Sequence, residues 1–244
     1  TTVSGSTMAV NKQGTYALNF IRSSSNTVVG CVVSSGTSID FFSRYNSLSA
    51  SSFTAYGVTP AISVQGSSNS FIGLYMQNSA GTVVSVGAGY NVFSQDRIEG
   101  RGVGPNVAIA ISGAPGTLVD TSFINNPNGD ALTIGSANNT TIRLSTVTTS
   151  GSGRNALYVN SASSVTIDRS YAYSASGSAI YLDSAASYST VTLSTAIAGS
   201  SGNPALNLVG SRLAVDRSFI NNPLGDAIYV TAAARFILID RSTA

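Results

Sequence analysis

The segments Ser164-Val165-Thr166-Ile167-Asp168-Arg169-Ser170 and Gly177-Ser178-Ala179-Ile180-Tyr181-Leu182 carry the pattern that decides the fold. In each, apolar and polar residues alternate, the period of an extended strand whose successive side chains point to opposite faces. Val, Ile, Thr and Tyr at these places favour strand further, and Ser174-Ala175-Ser176-Gly177 between them has the composition of a turn. Two strands this short cannot bury a core alone, so the question is whether the unit recurs.

It does. A small residue, an aliphatic, any residue and a second apolar residue return as Ala17-Leu18-Asn19-Phe20, Ala61-Ile62-Ser63-Val64, Ala131-Leu132-Thr133-Ile134, Ala156-Leu157-Tyr158-Val159, Ala205-Leu206-Asn207-Leu208 and Ala227-Ile228-Tyr229-Val230. Weaker copies are Ser38-Ile39-Asp40-Phe41, Val83-Val84-Ser85-Val86 and Ala108-Ile109-Ala110-Ile111. The central aliphatics, at 18, 39, 62, 84, 109, 132, 157, 180, 206 and 228, recur about every 23 residues. From the middle of the chain onward an apolar pair precedes each copy, as in Val165 with Ile167 and Val191 with Leu193. A leucine-rich or ankyrin solenoid would need a helical stretch and its own consensus in each repeat, and neither occurs.

Two or three short strands and their turns every ~23 residues describe one coil of a right-handed parallel β-helix. About ten coils stacked at the ~4.8 Å strand spacing give a rod of roughly 45–50 Å. The expected fold is therefore all-β, one solenoid domain over residues 1–244, with degenerate coils in 1–115 and regular ones in 116–244. The chain is expected to be part of a longer polypeptide.

Composition narrows the function. Apolar residues make up 43% and charged residues 9%, so hydroxyls and amides must supply the solubility. A formal charge of +2, spread over eleven Arg and the single Lys12, forms no phosphate-binding track or membrane anchor. Nucleic acid is excluded as a partner, and no apolar run approaches the roughly 20 residues of a transmembrane helix. Cys31 has no partner for a disulfide and reads as a small buried hydrophobe. The absence of His removes Ser-His-Asp triads, Cys-His pairs and His-ligated metals, leaving carboxylate chemistry. The low charge, abundant Ser and Thr and near-absence of Cys point to an extracellular or bacterial cell-surface location.

The repeats from Asn139 to Thr231 resemble those of the pectate-lyase-like parallel β-helix proteins, a scaffold that carries lyases, hydrolases, epimerases, tailspikes and adhesins. Phe123-Ile124-Asn125-Asn126 with Gly129-Asp130-Ala131-Leu132, and Phe219-Ile220-Asn221-Asn222 with Gly225-Asp226-Ala227-Ile228, are similar to the Phe-x-x-Asn and Gly-Gly-Ala-Ile repeats of autotransporter adhesins, with Asp in place of the second Gly. The Asp-Asp pair and Gly-His-Gly segment of polygalacturonase-like hydrolases and the Asp-Pro-His-Glu motif of alginate epimerases do not occur.

Three groups of residues are candidates for function. Asp96, Glu99 and Asp120, beside Arg97 and Arg101, lie where the coils depart from the regular pattern and concentrate charge; one coil apart, the three carboxyls are expected to converge as catalytic acids. Tyr158, Tyr181 and Tyr229 share one coil position, with Asn207 interrupting the series, and would form an outward ladder able to stack on sugar rings. Asp120-Thr121-Ser122, Asp168-Arg169-Ser170, Asp216-Arg217-Ser218 and Asp240-Arg241-Ser242 sit at equivalent places in the coil, and the Asp-Arg pairs read as an exposed ion-pair ladder. Asp130 and Asp226, each after Asn-Asn-Pro-x-Gly, read as turn residues. No cofactor is expected, weakly bound calcium at these last two acids being the minor alternative.

The leading expectation is a non-enzymatic, surface-exposed or secreted stalk or adhesive segment that contacts polysaccharide or a host or cell surface. The alternatives are a polysaccharide-active enzyme (a lyase, hydrolase or epimerase, or a tailspike depolymerase), and a filament subunit joined end to end through uncovered strand edges.

Overall fold

In a computed structural model the chain winds into three parallel sheets, described over residues 1–10, 15–40, 42–102 and 106–244. Lys12 and Phe41 lie outside the described residues. Strands of three or four residues follow one another from sheet to sheet, and every third strand returns to the same sheet. The first sheet has 11 strands and the second and third have 10 each. One coil shows the plan: Leu118–Asp120 in the first sheet, Phe123–Asn125 in the second and Leu132–Gly135 in the third. The all-β solenoid expected from the repeat is the observed fold.

Alternation fills the interior. Leu48, Phe71, Phe93, Val119, Ile142 and Ile167 stack inside the first sheet, and Phe53, Met76, Ile98, Ile124 and Val147 inside the second. The third sheet buries two residues per strand, as in Leu132 with Ile134 and Ile180 with Leu182. The small residue opening the inner motif copies, Ala61, Ala108, Ala131, Ala156, Ala179 or Ala205, is fully buried where the chain enters this sheet, while Ala17 and Ala227 at the ends of the stack are half-buried. Phe71 and Phe93 lie parallel, with ring centroids 4.5 Å apart.

Between the first two sheets one residue per coil adopts the left-handed conformation: Gly5, Gly30, Ala50, Gly73, Gln95, Thr121, Leu144, Arg169, Leu193, Arg217 and Arg241. A single residue at φ near +50° turns the strand sharply, and coil stacking holds non-glycine residues there despite the steric cost. The residue after this corner turns inward and forms a polar column. The backbone N–H groups of Cys31, Ser122, Ser145, Ser170, Ser194 and Ser218 each donate to a Ser hydroxyl one coil on, at 3.0–3.2 Å. Each of those hydroxyls, from Ser51 to Ser242, in turn donates to the carbonyl two residues before it.

The N-terminal coils hold a second column. Asn26, Asn46, Asn69 and Asn91 stack where the chain enters the first sheet, and the side-chain oxygens of the last three each accept the N–H and amide of the Asn one coil before, at 2.8–3.2 Å. These coils lack a strong hydrophobic consensus but are wound like the rest.

Two details of the sequence reading are corrected. Thr37, not Ile39, pairs with Leu18 and Ile62, while Ile39 pairs with Phe20 and Val64. Both residues point inward, so a shift of two preserves the buried face and hydrophobicity alone does not choose between the two registers. The coils from Gln95 to Asp120 also keep register, with Val92–Ser94 and Arg97–Gly100 paired on both sides. Their irregularity lies in which side chains occupy the positions.

Candidate functional site

The three carboxyls expected to converge occupy three different surroundings. Asp96 follows the left-handed Gln95 and points inward, 2% exposed, in the place other coils give to Ser. Its Oδ1 accepts the Leu74 N–H at 2.8 Å, and its own N–H donates to Ser122 Oγ at 3.1 Å. Burial pushes its carboxyl up to about 8, against the lowering effect of the backbone hydrogen bonds. Glu99 faces outward on the second sheet, where it pairs with Arg97 and accepts the Tyr75 hydroxyl at 3.1 Å. Arg101 follows that strand and adds its positive field at Tyr75. Asp120 faces outward on the first sheet and pairs with Arg143 at 2.8 Å. The corner separates Asp120 from Glu99, and side-chain alternation separates both from Asp96. The expected convergence is therefore overturned.

Asp120 begins the ion-pair ladder, at the coil position it shares with Asp168, Asp216 and Asp240. Its register partners along the first sheet are Arg143, Asp168, Thr192, Asp216 and Asp240. Arg217 meets Asp216 at 2.8 Å, and Arg241 bridges Asp216 at 3.1 Å and Asp240 at 3.0 Å. The arginines are about half exposed or more, so each pair stabilises little.

The outer face of the third sheet is different. Its central outward residues stack as Ser63, Ser85, Ala110, Thr133, Tyr158, Tyr181, Asn207 and Tyr229. The tyrosine series thus lies on one column as the spacing implied, and the rings of Tyr158 and Tyr181 meet edge to face at 5.2 Å. Tyr229, beyond Asn207, stands apart and is 49% exposed. Where the column steps from Ala110 and Thr133 up to Tyr158, an open cleft of about 440 Å³ forms. Its floor is Ala110, Ser112, Thr133 and Gly135; Tyr158 and Asn160 close one end, and Asp130 and Arg154 reach in from the preceding turns.

The turn before Asp130 is built by Asn, and the one before Arg154 by Thr149, whose hydroxyl donates to the Gly129 carbonyl and accepts the Gly151 N–H. The buried Asn126 donates its amide to the carbonyls of Asn106 and Asp130 and accepts the Asn128 N–H; Asn222 does the same in its coil. Asn thus organises the Asn-Asn-Pro-x-Gly turn, and the Asp130 carboxyl is free to reach the next coil. There Oδ1 accepts the Asn155 N–H at 2.7 Å. Burial raises the Asp130 carboxyl above the ordinary carboxylate value, against the lowering influence of that N–H and of Arg154. Burial also raises the Tyr158 phenol, with further contributions from Asp183, Tyr181 and Asp130. No group of three or more acidic or thiol side chains placed to hold a metal occurs among the described residues.

Tyr158 is legible in the sequence but its neighbours are not: Asp130 reads as a turn residue, and Arg154 follows Ser150-Gly151-Ser152-Gly153 with no pattern of its own. The available signal was the step from small to aromatic residues when the motif copies are aligned on their third position.

Among solved structures, the chain is similar to the A-module of a mannuronan C-5 epimerase from Azotobacter vinelandii, with a TM-score of 0.60 and 12% identity over 90% of this chain. It is equally similar to a pectate lyase, again with a TM-score of 0.60 and 12% identity over 90% of this chain. The chain spans 64% of the first and 68% of the second. At this identity the likeness is one of fold. No family model matches the sequence, and no curated protein matches it.

Proposed function

We propose that the chain is a carbohydrate-binding β-helix segment, displayed outside the cell or on a bacterial surface, that seats an acidic saccharide in the cleft of the third sheet. The observation that carries this reading is the step from Ala110 and Thr133 to Tyr158, with Arg154 and Asn160 in the same lining. An aromatic wall takes the apolar face of a pyranose ring, hydroxyl and amide side chains meet its hydroxyls, and the guanidinium pairs with a carboxylate. The epimerase and lyase neighbours, whose names specify mannuronan and pectate, support this ligand class.

Binding rather than cleavage is favoured because Asp130 is the one carboxyl in the cleft lining among the described residues, whereas acid–base glycoside hydrolysis uses a facing pair. An enzymatic second reading rests on Asp130 itself. A carboxyl raised by burial beside Arg154 and Tyr158 is suited to proton transfer.

Calorimetric titration with short oligouronates and their neutral counterparts tests both. Preferential binding of the uronates, weakened about tenfold or more by Tyr158→Ala or Arg154→Ala, is the expected result. No uronate binding overturns the proposal; shortened, unsaturated or epimerised product, lost in Asp130→Asn, replaces it with the enzymatic reading.

A further inference from the structure

The second sheet carries an outward column that the cleft does not use. In register along the axis it reads Tyr75, Arg97, Phe123, Thr146, Tyr171, Thr195 and Phe219. Aromatic rings alternate with Arg or Thr, and the four aromatics lie 48 residues apart in each step. Phe123, Tyr171 and Phe219 are 37%, 37% and 45% exposed. The intervening residues are polar, so these rings stand apart on the face and do not stack into a continuous apolar ridge of the kind that strand packing alone would favour.

Beside them runs a column of hydrogen-bonding groups, Gln77, Glu99, Asn125, Thr148, Tyr173, Ile197 and Asn221, broken only at Ile197. The charges of this face are confined to the coil of Arg97, Glu99 and Arg101, and the two columns are uncharged from Phe123 to Phe219. Glu99 is taken up by Arg97 and Tyr75, and the Arg97 guanidinium lies over the Phe123 ring at 5.3 Å.

From this geometry we infer that the second sheet binds an extended, neutral, diequatorially 1,4-linked glycan laid along the solenoid axis. Two coils advance about 10 Å, twice the strand spacing. Such a glycan advances by about one ring per strand spacing and turns each ring over relative to the last, so rings presenting the same face recur every second coil. Every second ring then rests on Tyr75, Phe123, Tyr171 or Phe219, and the amides and hydroxyls of the neighbouring column meet the ring hydroxyls. Arg101, past the end of its strand, is the one cation beside this face without an ion pair among the described residues; from Phe123 to Phe219 the two columns carry no charge and so complement a neutral polymer better than a polyuronate. The inference shares with the proposed function only the ligand class, and it uses another face and another charge type.

The test is binding of the intact chain to cello-, manno- and chito-oligosaccharides of increasing length, and to the corresponding insoluble polymers. Affinity should rise with length until the chain spans the roughly 30 Å from Tyr75 to Phe219. The exposed double variant F123A/Y171A should bind at least about tenfold more weakly. F123T/T146F, which keeps composition but breaks the alternation, should lose a similar factor, while Y158A and R154A leave this binding unchanged. Far-ultraviolet circular dichroism establishes that the variants are folded. No binding of neutral glycans, equal binding by F123T/T146F, or loss only in the cleft variants overturns the inference. The last result would leave the cleft proposal standing, and loss of uronate binding alone would do the reverse.

Discussion

Replacing Asp96 by Ser should remove a pH-dependent weakness from the centre of the solenoid. The carboxyl is buried, and Oδ2 has no hydrogen-bond partner. Its value in the fold is about 8, against 3.8 when unperturbed. Because the folded value is the higher one, the folded state binds the extra proton. The contribution to stability is fully present below pH 3.8 and is lost as pH rises through about 8. Over these roughly four pH units the loss accrues at about 1.4 kcal/mol per unit, a ceiling of about 6 kcal/mol. Ser, the residue used at this position in seven other coils from Ser51 to Ser242, accepts the same N–H and does not ionise. Thermal unfolding of wild type and Asp96→Ser should therefore differ little at pH 4. At pH 9 the variant should melt about 10–20 °C higher, on a scale of about 2–4 °C per kcal/mol for a chain of this size. Asp96→Asn, uncharged but with an acceptor oxygen retained, should follow the Ser variant. A difference in Tm between wild type and variant that is the same at pH 4 and pH 9 would refute the assignment of a buried, neutral carboxyl.

Asn69→Ala strips the Asn46 N–H and amide of their acceptor inside the column and should cost about 2–4 kcal/mol, read as a lower urea midpoint at unchanged slope. Phe93→Ala removes half of the stacked pair with Phe71 and should cost about 3–5 kcal/mol by the same measurement. Arg143→Ala, at the exposed ladder, should change stability by less than about 1 kcal/mol, an effect that disappears in high salt. Gly177→Ala would place a Cβ 2.1 Å from the Arg154 carbonyl oxygen. It should displace Arg154 and weaken uronate binding to the cleft while leaving neutral-glycan binding to the second sheet intact, which paired titrations would show.

How much of this was legible in the sequence depended on which forces write themselves locally. The Ala-Ile-x-Val copies are strong because inward positions must be apolar in every coil, so the period, the all-β class and the solenoid follow from residues such as Ala131 to Ile134 and Ala179 to Leu182. The shared column of Tyr158, Tyr181 and Tyr229 and the Asp216–Asp240 stacking were readable for the same reason, since both need only the period. The N-terminal coils look degenerate in sequence because their regularity lies in hydrogen bonds between Asn26, Asn46, Asn69 and Asn91, a polar ladder that leaves no hydrophobic repeat.

Sequence by itself determined the repeat, and with it the neighbours of each residue along the axis. Only the tertiary structure decided direction around the coil. One left-handed residue per turn, occupied as readily by Gln95, Thr121 or Arg217 as by Gly73, sends Asp96 inward, leaves Asp120 on the first sheet and carries Glu99 to the second. Stacking imposes that conformation on residues with no local preference for it, so the chain signals the equivalence of Asp120 with Asp168 and Asp216 but not the inward turn of Asp96. The cleft beside Asp130 and Arg154 formed for the same reason, from turns that meet only when the coils are wound.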